Sequence, residues 1–356
     1  MDDGATGPLP GGLVRSDPAT PGLTRRRCGR GFRYLGPGGE PVPPEIAARV
    51  RSLVIPPAWE DVWICADETG HIQAVGTDAA GRRQYLYHEE WRRHRDERKH
   101  DRVLGLARRM RDVRTEVRRR MGLRGLGPER VLAGAVRLLD TGAFRSGGTE
   151  YAPGDEDDEG TFGLATLRRE HVRLHRGEVL FTFVGKGEVA HRLALRDPAV
   201  HRLVGGLLRR RDDSDSLLGY RDRQGWHDVR AEDLNASVKE LIGRRYTAKD
   251  LRTWNATVLA AVRLAVAAQD GVPRSARARK RVLTAAVRDV AEHLGNTPAV
   301  ARGSYIDPRV LERFEDGRTV LPTLRRAGSP DLLDDARRAA FERAVVRLLR
   351  TPDDRA

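Results

Sequence analysis

Cysteine is nearly missing from this chain: Cys28 and Cys65 are the only two in 356 residues. That excludes a disulfide framework and leaves no Cys/His set at zinc-ligand spacing. Long apolar runs are missing as well. The best candidate, Thr257 to Ala268, is too short to span a bilayer and carries Arg263 in its middle. The N-terminus, MDDGATGPLPGG, lacks the charged-then-apolar order of a signal peptide, so the sequence predicts a cytoplasmic protein without a membrane partner. There is no phosphate-binding P-loop, and the acidic GDEDDEG lacks the ligand spacing of a calcium loop. Lysine is scarce although the net charge is +14: of 65 basic residues only Lys99, Lys186, Lys239, Lys249 and Lys280 are lysine. The charge points to a polyanionic partner. Arginine cannot release a proton near neutral pH, whereas a desolvated lysine can, so each lysine is a candidate for proton transfer.

What is present predicts an α+β fold with a small β-rich N-terminal domain and a mostly α-helical catalytic domain that contains a three-stranded antiparallel sheet. Residues 1 to about 25, rich in Gly, Pro and Asp, read as a disordered tail. Residues 26–100 read as the β-rich domain. VWICADETGHIQAVGTDAAGRRQYLY alternates as two or three strands parted by DETG and DAAG, and a helix is expected from Glu45 to Leu53. Residues 101–356 form the second domain. The basic run EEWRRHRDERKHDR leads into a helix whose apolar positions are Leu106, Met110, Val113, Val117 and Met121. Further helices are expected over Pro128–Leu139, Ala231–Ile242, Ala248–Ala268, Lys280–Leu294 and Pro330–Arg350. HVRLHRGEVLFTFVGKGEVAHRLAL turns at HRG and GKG and supplies the sheet, over 171–195.

One tyrosine raises a chemical question. In LGNTPAVARGSYIDP, Tyr305 follows a Gly-Ser pair just past a short helix. Phenol has a pKa near 10 and attacks poorly unless cations stabilise the phenolate. Attack on a phosphodiester would also need two or three fixed donors, ideally arginine forks, and an acid for the leaving oxygen. Candidates stand in fitting contexts: Arg145 in the glycine-rich AFRSGGTEY, Lys186 at the hairpin tip FVGKG, Arg252 in the first turns of the TAKDLRTW helix, and Asn296 just before Thr297-Pro298. Each, taken alone, also suits an ordinary packing or surface role.

Together, in this order, FRxG, FVGK, KDLRT and the GxTPxxxxxxY ending resemble the type IB DNA topoisomerases of the poxvirus-like and bacterial branch, over about Gly31 to Glu315. The resemblance implies that Tyr305 attacks the DNA backbone to give a 3′-phosphotyrosyl link, with Arg145 and Arg252 on the non-bridging oxygens and Lys186 protonating the leaving 5′-oxygen. It implies relaxation of positive and negative supercoils with no cofactor, ATP or metal. The expected partner is double-stranded DNA, met by a monomer associated with the nucleoid. The family usually has histidine where this chain has Asn296, which is therefore expected to bind the transition state only; His293, one turn earlier, is expected to be structural. GRRQYLYH resembles the segment that reads the major groove, so Gln84, Tyr85 and Tyr87 are expected on bases and Arg82 and Arg83 on phosphates. Arg95, Lys99, Tyr151 and Lys249 complete the expected DNA contacts, and the two domains are expected to close as a clamp hinged near Arg92 to Arg102. Two other readings stay open. A tyrosine recombinase shares the chemistry but typically has histidine where Lys249 stands; a non-catalytic DNA-binding protein would need the basic surface but not Lys186 or Tyr305.

Overall fold

The computed structural model of the chain describes residues 9–147, 162–185 and 189–350. They fall into two compact units, Met1–Asp101 and Arg102–Ala356. The fold is mixed, with a small antiparallel sheet in the first unit and a helical core holding a small sheet in the second.

The first unit is built on strands β1 (Leu23–Cys28), β2 (Gly31–Leu35), β3 (Glu60–Ile64), β4 (Ile72–Thr77) and β5 (Arg83–Tyr87), ordered β2-β1-β3-β4-β5. The turns between β3, β4 and β5 are DETG and DAAG, the second closed by Gly81 at φ +73°. Helix α1 (Pro44–Ser52) covers one face, where Val50 packs with Leu23, Ile64 and Ala74. The unit ends in α2 (Glu89–Ala107), within which the division at Asp101 falls.

Residues 9–25 depart from the expected disordered tail. Pro10–Gly12 make one tight turn, Leu13 and Leu23 are buried, and Val14 bridges Gly70. The Ser16 hydroxyl donates to the Ile72 carbonyl at 3.0 Å and accepts from the Ile72 amide at 2.9 Å. Proline and glycine serve equally to make fixed turns, and the two leucines anchor the segment. Residues 1–8 lie outside the described residues.

Leu106 to Met121 is two helices, not one: α2 ends at Ala107 and α3 spans Met110–Met121. The Arg109 amide closes a tight turn onto the Leu106 carbonyl at 2.9 Å, and its guanidinium is tied to the Ile242 carbonyl at 2.7 Å. All five apolar positions are nonetheless buried. The helix α4 (Pro128–Asp140) then leads to the sheet of β6 (Val172–His175), β7 (Glu178–Gly185) and β8 (Val189–Leu195), ordered β6-β7-β8, with Val179, Phe181 and Phe183 turned inward.

Helix α5 (Pro198–Leu208) and the ribbon β9 (Gly219–Arg221) and β10 (Trp226–Asp228) follow; neither was read from the sequence. Beyond α6 (Ala231–Ile242) comes α7 (Ala248–Ala267), buried along most of its length and the spine of the unit. Helix α8 (Ala276–Leu294) starts one turn before the expected Lys280, because the Ser275 hydroxyl caps it by accepting from the Ala278 amide. It stops at Gly295 with φ +57°. Four short or terminal helices complete the chain: α9 (Pro298–Val300), α10 (Pro308–Glu315), α11 (Leu321–Ala327) and α12 (Asp335–Leu349). The last begins later than the expected Pro330, at an Asp334 cap. No helix among the described residues is long and apolar enough to cross a membrane.

Candidate active site

Four of the five candidate side chains converge from four separate stretches of the second unit. Arg252 sits in the first turns of α7 and is 3% exposed. Its guanidinium donates to the Gly142 carbonyl at 2.9 Å and the Ala143 carbonyl at 3.1 Å, just past α4, and to the Leu294 carbonyl at the end of α8. Its Cζ lies 5.4 Å from the centre of the Tyr305 ring. Arg145, two residues beyond Ala143, donates to the side-chain oxygen of Asn296. Lys186 and Tyr151 lie outside the described residues.

Tyr305 is held by an unusual turn. After α9, capped by the Thr297 hydroxyl, the chain widens into a π-helical turn over Ala301–Tyr305, closed by the Ile306 amide on the Ala301 carbonyl at 3.0 Å. Such turns are rare and recur at functional sites. Thr257 on α7 fixes its exit: its hydroxyl oxygen accepts from the Asp307 amide at 3.1 Å and lies 3.3 Å from the Tyr305 carbonyl. Tyr305 itself is half-buried.

The electrostatics are one-sided. Burial lowers Arg252 to about 10; the neighbouring Tyr305 opposes that shift and the Arg145 charge adds to it. Two donors, Arg252 Nε and Asn296 Nδ2, are buried without a partner among the described residues. An orphaned buried donor is expensive, and native proteins keep few of them. A set of donors lacking acceptors is a place where acceptor oxygens from a ligand would be bound.

One side chain of this site escaped the sequence reading. His191 on β8 is 7% exposed and stacks on Phe183, with ring centres 4.7 Å apart. A Cβ placed on Gly295 would come within 1.9 Å of its ring, so the ring fills the space beside Asn296. Burial, then the charges of Arg252 and Arg145, push it down to about 4, so it is neutral near pH 7. Its signal was its inward register in β8, which read as one more strand position. His293 behaves as a structural residue: its ring nitrogen Nε2 donates to the Thr141 carbonyl at 3.0 Å, and burial lowers its pKa.

In the first unit the expected DNA contacts divide between two faces of β5. Arg83 and Tyr85 lie on one side with Tyr87, whose ring is 6.0 Å from that of Tyr85, and Arg95 of α2 lies 5.2 Å over Tyr87. Gln84 is on the other side with Leu86, which packs on the core, because strand side chains alternate. The Gln84 amide donates to Asp78 at 2.8 Å, and Arg82 pairs with the same carboxylate at 3.0 Å. Lys99 pairs with Asp96 at 2.8 Å. In the second unit, Lys249 is exposed at the start of α7.

Residues 88–320 match the family model of the eukaryotic DNA topoisomerase I catalytic core, and residues 31–78 match that of the bacterial DNA topoisomerase IB N-terminal domain. DNA topoisomerase 1B of Acanthamoeba polyphaga mimivirus is 26% identical over 301 residues, covering 83% of this chain and 88% of that protein. DNA topoisomerase I of Monkeypox virus is 27% identical over 246 residues, covering 68% and 72%. DNA topoisomerase 1B of Vaccinia virus (strain Western Reserve) is 27% identical over 248 residues, also covering 68% and 72%. Fold and matches together define an isomerase that acts on DNA. The chain belongs to the type IB DNA topoisomerase family.

Proposed function

We propose that the protein relaxes positively and negatively supercoiled DNA by nicking one strand through Tyr305, letting the duplex swivel, and resealing it without ATP or metal. The observation that carries this reading is the pair of idle buried donors: Arg252 Nε, on a guanidinium 5.4 Å from the centre of the Tyr305 ring, and Asn296 Nδ2, on the amide bonded by Arg145. A phosphodiester supplies the acceptor oxygens they lack, and its charge suits a site that holds two guanidinia.

In this mechanism the Tyr305 phenol gives its proton to water, and its oxygen bonds to phosphorus as the bond to the 5′-oxygen breaks. Arg145, Arg252 and Asn296 donate to the non-bridging oxygens, whose negative charge grows in the transition state. Lys186 protonates the departing 5′-oxygen, a role implied by the family motif FVGK. The 3′-phosphotyrosyl link conserves the bond energy, so resealing runs the same steps backwards. The ladder of exposed Arg83, Tyr85 and Arg95 with half-buried Tyr87 adds duplex contacts in the first unit, and affinity should fall steeply with salt as phosphate contacts release counterions.

The test is relaxation of a supercoiled plasmid in EDTA without ATP, beside Tyr305→Phe. Wild type should give a ladder of relaxed topoisomers and a covalent adduct, and the variant should bind DNA but give neither. Relaxation by both proteins would remove Tyr305 from the role of nucleophile.

A further inference from the structure

The end of α4 is held in an unusual way. The last carbonyls of a helix have no partner within it and usually meet water or a tight final turn. Here the carbonyl of Asp140, the last helical residue, and the next three carbonyls along the exit turn each receive a side-chain donor from another helix. Asp140 O accepts from Asn255 of α7 at 2.9 Å and also from Arg338 of α12. Thr141 O accepts from His293 of α8 at 3.0 Å, and Gly142 O and Ala143 O accept from Arg252 at 2.9 and 3.1 Å. Gly142 has φ +81°, and a Cβ there would come within 2.7 Å of Asn255, so the turn is close-fitted on that side.

On another side it lacks packing. A cavity of about 460 Å³ borders Thr141, Ala143, Asn255, His293 and Arg338. Interiors normally hold a segment by contact on all sides. Along the cavity wall the donors do that work, and the same turn leads within two residues into Arg145.

Arg338 controls this arrangement from the C-terminal helix. Its guanidinium bonds the Asn255 side-chain oxygen and the Asp140 carboxylate, the latter at 3.0 Å, and so fixes the amide with its NH₂ toward Asp140 O. Without Arg338 the first carbonyl of the series loses one donor, and the amide that supplies the other loses the contact that orients it.

We infer that Arg338 is a positioning residue for strand cleavage: through Asn255 and the 140–143 turn, helix α12 sets where Arg252 and Arg145 stand. This rests on the proposed role of those two arginines. Displacing a donor by about 1 Å can slow a reaction by roughly 100-fold. The experiment is single-turnover cleavage of duplex DNA with excess enzyme, comparing wild type, Arg338→Met, Arg338→Lys and Asn255→Ala. The rate constant reports the geometry of competent molecules, whereas the amplitude reports how many are folded. Arg338→Met should lower the rate constant by roughly 10- to 100-fold with DNA affinity within about twofold. Asn255→Ala should lower it similarly, and combining the two should add little, because both act on one turn. Arg338→Lys should recover part of the loss.

A normal rate constant with a reduced amplitude in Arg338→Met would overturn the inference and leave Arg338 a purely structural residue. If that variant does not fold, Asn255→Ala carries the same test, and a normal rate constant there overturns it as well. Absence of any adduct from wild type would instead overturn the proposed function.

Discussion

Two neighbouring regions of the second unit bury arginine and treat it in opposite ways. In the ionic core between α3, α4 and α12, Arg114 is 3% exposed and meets Asp140 at 2.7 Å and Glu342 at 2.6 Å. Arg338 meets the same two carboxylates, and Glu342 also accepts from Trp254 at 3.1 Å. Burial pushes Asp140 up, yet Arg114 and Arg338 hold it below the usual carboxylate range. A few residues away Arg252, equally buried, is met by carbonyls alone and keeps a donor idle. A compensated guanidinium ties helices together. One without a carboxylate keeps an uncompensated charge and an idle donor, which in the proposed mechanism meet the phosphate.

Removing each arginine should separate the two roles. Arg114→Met leaves Glu342 with Arg338 and the Trp254 donor, and Asp140 with Arg338 and the more distant Arg137 at 3.8 Å, and breaking a buried pair from one side costs about 3–5 kcal/mol. Arg252→Met removes a charge that no carboxylate balances, so its loss of stability should be clearly smaller. Its cleavage rate should fall by roughly 10²- to 10³-fold, as when one donor to developing charge is lost. Denaturant unfolding and single-turnover cleavage measure the two quantities. Equal stability losses would erase the distinction between the regions.

The sequence made the apolar skeleton legible and left the polar connections hidden. Helices α4 and α6 were readable from their apolar periodicity, α7 also from its Thr247 cap, and the three-stranded sheet because alternation and turns coincided. The break at Arg108–Arg109 was invisible, since the apolar spacing runs on through it and the cause is a contact with Ile242, 133 residues away. Gln84 was grouped with Tyr85 and Tyr87 by adjacency, although alternation places it on the opposite face. Arg145, Arg252, Asn296 and Tyr305 were found through ordered motifs, but spacing alone could not show that they meet. His191 carried no motif, and Arg338 lay in a helix read only by its apolar face.

His191 offers a smaller effect, visible in pH. Its folded value near 4 lies below the ordinary 6.5. The unfolded chain therefore binds the extra proton first as pH falls, and the stability the neutral ring contributes is present above about 6.5 and lost on the way down to about 4. At pH 5 the loss is about 2 kcal/mol. His171 and His293 are also lowered and add to the acid sensitivity of the wild type, so the comparison must be with His191→Phe, which keeps a ring against Phe183. The unfolding free energy of that variant should drop less between pH 7 and pH 5, by about 2 kcal/mol. An identical drop in both proteins would mean that the imidazole is not shielded by its site.

The smallest effect tests the neutral member of the anion site. Asn296 accepts from Arg145 and points a buried NH₂ group with no partner among the described residues. A neutral hydrogen bond contributes about 0.5–1.5 kcal/mol. Asn296→Ala should therefore slow cleavage only about two- to tenfold, far less than Arg252→Met, and leave stability nearly unchanged because it removes an orphaned donor. Asn296→Asp sharpens the contrast at the same position. It introduces the carboxylate that this region lacks, pairs it with Arg145 and makes the site resemble the ionic core. That variant should fold at least as stably as wild type while DNA cleavage falls well below that of Asn296→Ala, since the carboxylate repels the phosphate it replaces. Cleavage by Asn296→Asp equal to that of Asn296→Ala would show that the missing carboxylate is not what keeps the site open to DNA.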